Sequence, residues 1–423
     1  MDTLMSSPMR HFLMVVCLLG LWPTAYAALP PIRLAMIEGM SGPFANAGDA
    51  VQRNVQFAIE VVNARGGVRL KDGRHLLELS VFDNKQTIDE SLIALRQVTD
   101  RHIPFILQGN SSAVAAGLVE AINKHNERRP DNRLLFLNYS AVDPVLTNEK
   151  CSYWHFRFDA NATMRMQALT DVIEGDARAS KVYLIGQDYS FGHQVATAAR
   201  SQLAAKRPDI SIVGDEFHPI GKIKDFAPYA AKIRASGADT VITGNWGNDL
   251  TLLVKAARES GLNLKFYTFY GNGLGAPAAI GDAGVGRVRA VAEWHPNVGG
   301  AASDAFYQSF RQRFPEPQDD YVHLRMRVMI EMLGSAIEHA GSTEAASVAR
   351  ALEGARFTNG FHDATMRAAD HQLIQPLYVS VMQKKGDDGV RFDNEGSGYG
   401  FKTERYLLPS ATAQPSTCTM TRY

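Results

Sequence analysis

Short apolar runs alternate with amphipathic helical patterns along most of the chain. The run Ile32 to Ile37 is followed by residues 47–64, where apolar side chains recur at helical spacing up to Gly66-Gly67. A strand over Leu76 to Phe82 and a helix over residues 89–102 repeat the unit. Further candidate strands, most of them separated by helical patterns, are 105–107, 134–137, 182–185, 210–217, 240–243, 266–269 and 288–292. Repeated strand–helix units predict α/β lobes with mainly parallel sheets, and so many strands favour two sheets over one.

The composition is that of a large globular protein. The chain has 423 residues, 45% of them hydrophobic, which is enough for two or three domains with cores of their own. Lys and Arg together number 44, and so do Asp and Glu. Because duplex binding depends on clustered cations that release phosphate counterions, this balance argues against nucleic acid as the main partner.

The first 27 residues resemble a signal peptide. Arg10 forms a basic start, Phe12 to Trp22 form an apolar segment too short to span a bilayer, and Ala25-Tyr26-Ala27 offers small residues for cleavage after Ala27. Cys17 follows Met14-Val15-Val16 rather than the small residues of a lipoprotein signal. We therefore expect an exported, soluble protein in the periplasm.

Two cysteines, Cys151 and Cys418, remain after that cleavage. In an oxidising compartment two cysteines can pair, whereas a zinc site needs about four grouped ligands. The sequence therefore favours a disulfide, although spacing alone does not bring the two residues together.

Motifs for catalysis and cofactor binding are missing from the sequence. It has no HExxH, GxSxG, Walker A or CxxC pattern. Residues 271–275 have GxGxG spacing, which is not that of a dinucleotide loop, and isolated histidines such as His155 and His323 are more often structural than ligands. We expect no enzyme, no cofactor and no metal site.

Polar and aromatic residues cluster where strands should end. Ser111 and Ser112 follow the strand 105–107 and begin a helix, so Ser112 lies where free backbone N–H groups favour an anion such as a carboxylate. It could equally serve as a helix N-cap. Other strand ends carry Tyr139-Ser140, Tyr189-Ser190-Phe191, Asn245-Trp246 and Phe269-Tyr270. Ligands bind at the carboxyl ends of parallel strands, so these residues are candidates for one cleft, with burial in the core as the alternative.

The ordered set of motifs resembles the branched-chain amino acid binding family of ABC importers, the leucine/isoleucine/valine-binding type, over almost the whole mature chain. The matching segments are Met40-Ser41-Gly42-Pro43-Phe44, Asn63 to Val68, Asp143 to Thr147, Phe156-Arg157, Asp188 to Gly192 and Asp370 through Val379. The resemblance implies a type I periplasmic-binding fold. In that fold two Rossmann-like lobes are joined by a three-crossing hinge and close on a ligand.

The resemblance also implies a division of the chain. We expect a signal peptide at residues 1–27, a first lobe from 28–152 and 273–360, and a second lobe from 153–272 and 361–423 with the C-terminal tail. In this arrangement a disulfide between Cys151 and Cys418 would tie the tail to the second lobe near a crossing. The partners implied are a small-molecule ligand and ABC permease subunits in the inner membrane, and the protein is expected to be a monomer.

By position, two serines match ligand-binding residues of the family. Ser112 matches the serine that holds the ligand carboxylate, and Ser140 matches a residue whose backbone carbonyl meets the ligand ammonium. Ser111, Tyr139 and Tyr189 are the neighbouring candidates for ligand contact.

Four positions depart from the pattern of the family's amino acid binders. Val142 replaces a threonine, Phe191 and Trp246 each replace a tyrosine, and Tyr270 aligns with the acidic residue that pairs with the ammonium. Burying an ammonium without a charged partner costs several kcal/mol. We therefore expect an apolar or aromatic carboxylate as the ligand, with a branched-chain or aromatic amino acid second. A sensor subunit that feeds a membrane receptor is the alternative function, and an exported enzyme on the same fold ranks third.

Overall fold

The structure is a computed structural model that describes Met1 and residues 29–423. Apart from Met1, the expected signal peptide, Cys17 and the cleavage site lie outside the described residues. Helices and strands alternate through most of the described chain, and they form two lobes.

The strands between residues 29 and 423 are numbered in chain order. They are β1 (Ile32–Glu38), β2 (Val68–Leu70), β3 (Gly73–His75), β4 (Leu77–Asp83), β5 (Phe105–Gln108), β6 (Leu135–Asn138), β7 (His155–Arg157), β8 (Lys181–Gln187), β9 (Ser211–His218), β10 (Thr240–Thr243), β11 (Lys265–Thr268), β12 (Val288–Ala292), β13 (Arg356–Thr358), β14 (Asp363–Arg367), β15 (Gln372–Ile374), β16 (Leu377–Lys384) and β17 (Tyr399–Leu407).

The α-helices of the same part of the chain are numbered likewise. They are α1 (Ala45–Ala64), α2 (Ile88–Asp100), α3 (Ser112–Arg128), α4 (Ala162–Glu174), α5 (Ser190–Lys206), α6 (Ala227–Ser236), α7 (Asn248–Glu259), α8 (Ala276–Ile280), α9 (Ala301–Arg313), α10 (Leu324–Ala340), α11 (Ala345–Leu352) and α12 (Pro409–Thr412).

The first lobe is built on a sheet of eight strands within the described residues, in the order β13-β14-β15-β7-β6-β5-β1-β4. The strands from β15 to β4 pair in parallel, and β13 and β14 add an antiparallel edge. Every residue of β5 and β6 is buried, as expected for central strands covered on both faces. Helices α1, α2, α3, α9, α10 and α11 contribute to the same core.

The second lobe contains seven of the described strands, in the order β17-β16-β12-β11-β10-β8-β9. Its parallel part runs from β12 to β9, and β16 and β17 are antiparallel to their neighbours. The outer strand β17 carries Lys402, Glu404 and Arg405, and such charges discourage pairing at a sheet edge. The remaining two strands, β2 and β3, form a hairpin beside the first lobe.

The described chain passes between the lobes three times. It leaves the first sheet after β7 through residues 158–161, returns after β12 through residues 293–300, and leaves again between β15 and β16 at residues 375–376. The expected two-lobed α/β fold with three crossings is therefore confirmed.

Strand pairing differs from the expected division in two places. Strand β12, expected within the first lobe's segment 273–360, pairs with β11 in the second sheet, and β14 and β15, expected within 361–423, pair in the first sheet. Sequence patterning marks a strand but not the sheet it joins, because register and neighbours depend on contacts across the chain.

The C-terminal tail also differs from its expected place. Cys151 and Cys418 have their sulfur atoms 2.09 Å apart, and Cys151 lies just before β7 of the first sheet. Near the end of the tail, the ring of Tyr423 packs against Trp154 at 5.1 Å. The tail therefore returns to the first lobe and not to the second, because the loop between β6 and β7 precedes the first crossing.

Among the helices that the structure describes, none has the length and apolar character needed to cross a membrane.

Candidate ligand site between the lobes

A narrow cavity with an empty volume of about 460 Å³, mouth included, lies between the two lobes. Most of its lining residues lie at or near the carboxyl ends of parallel strands, where the sequence predicted a cleft. The first lobe contributes Ala47, Val51, Gly109, Asn110, Ser111, Ser112, Ser140, Val142, Tyr321 and Arg325, and the second contributes Tyr189, Phe191, Trp246, Gly247, Tyr270 and Leu274.

Ser112 is the first residue of α3, at the cavity wall. The side chain of Ser111, at the N-cap, makes no capping hydrogen bond, so it leaves the first N–H groups of the helix free. The Oγ of Ser112 accepts a hydrogen bond from the backbone N–H of Asp143 at 3.2 Å. Because this oxygen accepts there, its own hydrogen is available for an acceptor on a ligand.

A buried carboxylate, Glu38 at the end of β1, supports the loop before α3. Its oxygens accept from the N–H groups of Gly109 at 3.3 Å and Asn110 at 3.0 Å, and from the hydroxyl of Tyr139 at 2.5 Å. Burial raises the pKa of Glu38 to about 7, although these hydrogen bonds act to lower it. A Cβ atom at Gly109 would lie 2.4 Å from the Tyr139 ring, so this close approach requires glycine.

Tyr139 is the one predicted contact residue whose side chain lies outside the cavity lining. It is fully buried, and its hydroxyl is directed to Glu38. Its backbone carbonyl accepts a hydrogen bond from Nε of Arg325 at 2.8 Å. Tyr139 thus belongs to the support of the site.

The second lobe contributes an aromatic wall. The indole N–H of Trp246 donates to the hydroxyl of Tyr189 at 2.9 Å, and the Tyr189 ring lies 5.7 Å from that of Phe191. Burial raises the pKa of Tyr189 well above its usual value, so the hydroxyl is neutral. This wall offers apolar surface together with the hydroxyl of Tyr189.

Tyr270 and Arg325 bring further polar groups to the cavity. The Arg165 guanidinium lies 5.2 Å from the centre of the Tyr270 ring, and burial raises the pKa of Tyr270. Arg325 lines the cavity and donates from Nη2 to Oγ of Ser140 at 3.2 Å. Among the described residues that line the cavity, Arg325 carries the one full charge, and it is positive.

Two acids that could substitute for the aligned ammonium partner are engaged elsewhere. Asp249 is buried and accepts from Nε2 of Gln187 at 2.8 Å and from the N–H of Gly221 at 2.9 Å. Asp188 pairs with His193 at 2.9 Å, and both side chains are exposed. Neither acid lines the cavity.

Sequence reasoning placed Ser111, Ser112, Ser140, Tyr189, Phe191, Trp246 and Tyr270 at a cleft, and the structure brings all seven to the cavity wall. It missed Arg325, Tyr321 and Glu38. Tyr321 and Arg325 flank the start of α10, far along the chain, where no strand-end pattern marks them. Glu38 did have a usable signal, since it directly follows the apolar run of β1.

Two lobes closed over a small cavity at the ends of parallel strands define a two-lobed solute-binding protein. The family described as periplasmic binding protein matches residues 31–387, and the chain belongs to this family. It is 31% identical over 417 residues to the Leu/Ile/Val-binding protein homolog 4 of Brucella melitensis biotype 1, with 96% of each chain covered.

Solved structures show the same fold. The leucine-, isoleucine-, valine-, threonine- and alanine-binding protein from Brucella ovis, in its closed conformation, has a TM-score of 0.81 and 30% identity, over 93% of this chain and all of that one. A solute-binding protein of an ABC transporter from Rhodopseudomonas palustris BisB5, in complex with 3,4-dihydroxybenzoic acid, has a TM-score of 0.75 at 15% identity, over 90% of this chain and 98% of that one. These relatives are solute-binding proteins and not enzymes.

Proposed function

We propose that this protein captures a small carboxylate-bearing ligand in the periplasm and delivers it, as a monomer, to the permease subunits of an ABC transporter. The ligand we favour is an apolar or aromatic acid. A branched-chain or aromatic amino acid is the second candidate.

The charge distribution of the cavity carries this proposal. Helices α3, α5 and α7 all begin at the cavity, with Ser112, Ser190 and Asn248 as their first residues and no side-chain cap on any of the three. Helix N-termini favour negative charge by about 0.3 to 1 kcal/mol each at exposed sites. Arg325 adds a cation, and no acid is present among the described lining residues. A carboxylate is the small polar group that suits such a wall.

The aromatic wall supports an apolar body for the ligand. Tyr189, Phe191, Trp246 and Tyr270 face the first lobe across a narrow space. Apolar burial of about 25 cal/mol per Å² then supplies most of the affinity, while the carboxylate fixes the orientation.

The amino acid alternative has one observation in its favour. The relatives at 30% and 31% identity carry names that include leucine, isoleucine and valine. An ammonium group would need an acceptor, and one candidate is Asp159, whose Oδ2 lies 3.4 Å from Nε of the lining residue Arg325. That oxygen has no hydrogen-bond partner among the described residues.

A thermal-shift screen of the mature protein from Ala28 onward tests the proposal. Matched pairs separate the two ligand classes: L-leucine against 4-methylpentanoate, and L-phenylalanine against 3-phenylpropanoate. A ligand at 100 times its dissociation constant stabilises the folded state by about 2.7 kcal/mol and so raises the melting temperature. We expect the acids to give the larger shifts. Shifts with neutral alcohols or amides, and none with any carboxylate, would contradict the proposal.

A further inference from the structure

Four buried charged side chains form a closed cluster at the cavity, and one of them, Arg325, lines the cavity wall. Asp159 and Glu293 are 0% exposed, and Arg165 and Arg325 are 1% exposed. Arg165 donates from Nη2 to Oδ1 of Asp159 at 2.5 Å, and Nη1 of Arg325 lies 3.1 Å from Oε2 of Glu293. Nε of Arg325 also lies 3.4 Å from Oδ2 of Asp159, so the two ion pairs are connected.

The two acids of this charge cluster lie on hinge crossings, and the two arginines come from opposite lobes. Asp159 is in the crossing of residues 158–161, and Glu293 is the first residue of the crossing of residues 293–300. Arg165 belongs to α4 of the second lobe and also donates to the carbonyl of Val291, at the end of β12. Arg325 belongs to α10 of the first lobe.

Arg325 connects this charge cluster to the ligand-facing wall. Its Nε donates to the carbonyl of Tyr139, and its Nη2 donates to Oγ of Ser140, which lines the cavity. One guanidinium thus contacts a segment of the cavity wall and the acids of two crossings. A planar group with several fixed N–H donors can hold these partners together, whereas an ammonium cannot.

The charges of the cluster depend on one another. Burial acts to raise the pKa of Glu293, but the charge of Arg325 holds it well below the usual range, and burial lowers the pKa of His323 beside it to about 4. Glu293 is therefore ionised at neutral pH, and His323 is neutral. Separating a buried pair leaves an uncompensated charge, which is strongly destabilising, so the wall and the crossings cannot move independently while the cluster is intact.

We propose that Arg325 is a positioning residue that fixes the wall segment Tyr139-Ser140 to two hinge crossings, so that the shape of the ligand site and the angle between the lobes change together. The inference goes beyond the proposed ligand. It rests on the two-lobed hinge, and it is tested on protein without ligand.

The test is hydrogen exchange, measured by mass spectrometry, of ligand-free protein carrying Arg325→Lys. This variant keeps a positive charge between the acids but cannot make the contacts to Tyr139 and Ser140 at the same time. We expect exchange to be at least tenfold faster in three separate segments, 139–143, 156–162 and 291–298. These segments include protected amides, such as the N–H of Phe158 bonded to Asn138 and the N–H of Ala162 bonded to Val142.

Arg207→Lys is the matched control. The Arg207 side chain is mostly buried and donates to the carbonyls of Ile173 and Ala179 at 2.9 Å and to Asp209 at 2.7 Å, but it follows the C-terminal end of α5 in the second lobe, at the opposite end of that helix from the cavity. The same substitution there should leave the three segments unchanged. Faster exchange confined to 139–143 in Arg325→Lys, or equal effects in both variants, would overturn the proposal.

Asp159→Asn gives an independent readout. Exchange at 139–143 should become faster, although the Asp159 side chain makes no hydrogen bond to this segment among the described residues. If the effect passes through Arg325, adding Asp159→Asn to Arg325→Lys should change the exchange rate at 139–143 little further. If Arg325→Lys does not fold, Asp159→Asn alone decides, and unchanged exchange at 139–143 would contradict the coupling.

Discussion

The rings of Phe44 and Trp246 lie against each other with 4.3 Å between their centroids. Phe44 precedes α1 in the first lobe, and Trp246 follows β10 in the second. Both side chains are buried, Trp246 lines the cavity, and Asn248 donates to the carbonyl of Pro43 at 3.2 Å. These contacts join the lobes in the closed form, so opening the lobes must break them.

We predict that Phe44→Ala weakens ligand binding by speeding dissociation. An aromatic pair contributes about 0.5 to 1.5 kcal/mol beyond its buried area, so the dissociation constant should rise about two- to tenfold. Stopped-flow tryptophan fluorescence, with the tightest ligand of the screen, measures the rate. Phe217→Ala is the control, since Phe217 packs on His193 within the second lobe. An unchanged dissociation rate would show that this contact does not hold the closed form.

We predict that Ser112→Ala weakens carboxylate binding by about 1 to 2 kcal/mol, the cost of one charge-assisted hydrogen bond. Isothermal titration calorimetry measures the loss. Ser91→Ala is the matched control, because Ser91 is a buried serine of α2 in the same lobe whose hydroxyl donates to the carbonyl of Thr87. If both variants bind the ligand as tightly as the wild type, Ser112 does not bind the carboxylate and has only a structural role at the start of α3.

Much of the site could be predicted because parallel strands bring their carboxyl ends to one edge. Serines and aromatics that directly follow β5, β6, β8, β10 and β11 come together for this reason, although they are far apart in sequence. Local pattern was sufficient for these residues. The central strands were also found, since their apolar runs are nearly continuous.

The parts that sequence reasoning missed depend on contacts between distant segments. Arg325 lies 186 residues after Tyr139, and a charged residue in a helical pattern usually indicates solvent exposure. Short strands such as β13 and β15 have three residues each and no clear alternation, so pattern could not find them. The sheet that β12 joins is likewise decided by packing and not by its own residues.

We predict that Cys151 and Cys418 form a disulfide in the exported protein. Their Cα atoms are 5.7 Å apart, within the usual range for a disulfide. Titration of the unfolded, unreduced mature protein with a thiol reagent should find no free thiol, and two after reduction. Cys418→Ser should release one thiol and lower the melting temperature. The disulfide closes a loop between residues 267 positions apart, and in the chain-entropy model the lost entropy of the unfolded chain stabilises the folded state by about 4 kcal/mol or more. Two reactive thiols in the wild type would exclude the bond.

We predict a pH-dependent contribution of Glu38 to stability. Burial raises its pKa from 4.5 to about 7, so the folded state holds the proton more tightly than the unfolded chain. By linkage, the stability contributed by this group increases as the pH falls from about 7 to 4.5 and is lost as the pH rises through 7. Chemical unfolding of the wild type and of Glu38→Gln across this range measures the effect.

The informative quantity is the free energy of unfolding of the wild type minus that of Glu38→Gln at each pH, because every other titratable group is common to both proteins. This difference should grow in favour of the wild type as the pH falls, and it should be constant above about pH 8. A difference independent of pH from 4.5 to 8 would show that Glu38 keeps an ordinary pKa. Burial also raises the pKa of Glu395 to about 7, so Glu395→Gln gives a second comparison.

Our last prediction concerns Tyr270 and the class of ligand. The wild type should bind 4-methylpentanoate more tightly than L-leucine, because the described cavity lining offers a cation and uncapped helix N-termini but no acid for an ammonium. Tyr270→Glu should reverse this preference. The new carboxylate would give an ammonium a charge-assisted partner worth about 1.5 to 3 kcal/mol, or roughly 10- to 150-fold in the ratio of dissociation constants, and it would repel an organic acid. Tyr270→Gln is the control, because glutamine is similar in size to glutamate but carries no charge. It should leave the order of preference unchanged. Calorimetry with both compounds on all three proteins decides the matter. Micromolar binding of leucine by the wild type, without a response to the acid, would mean that another acceptor, such as Asp159, receives the ammonium.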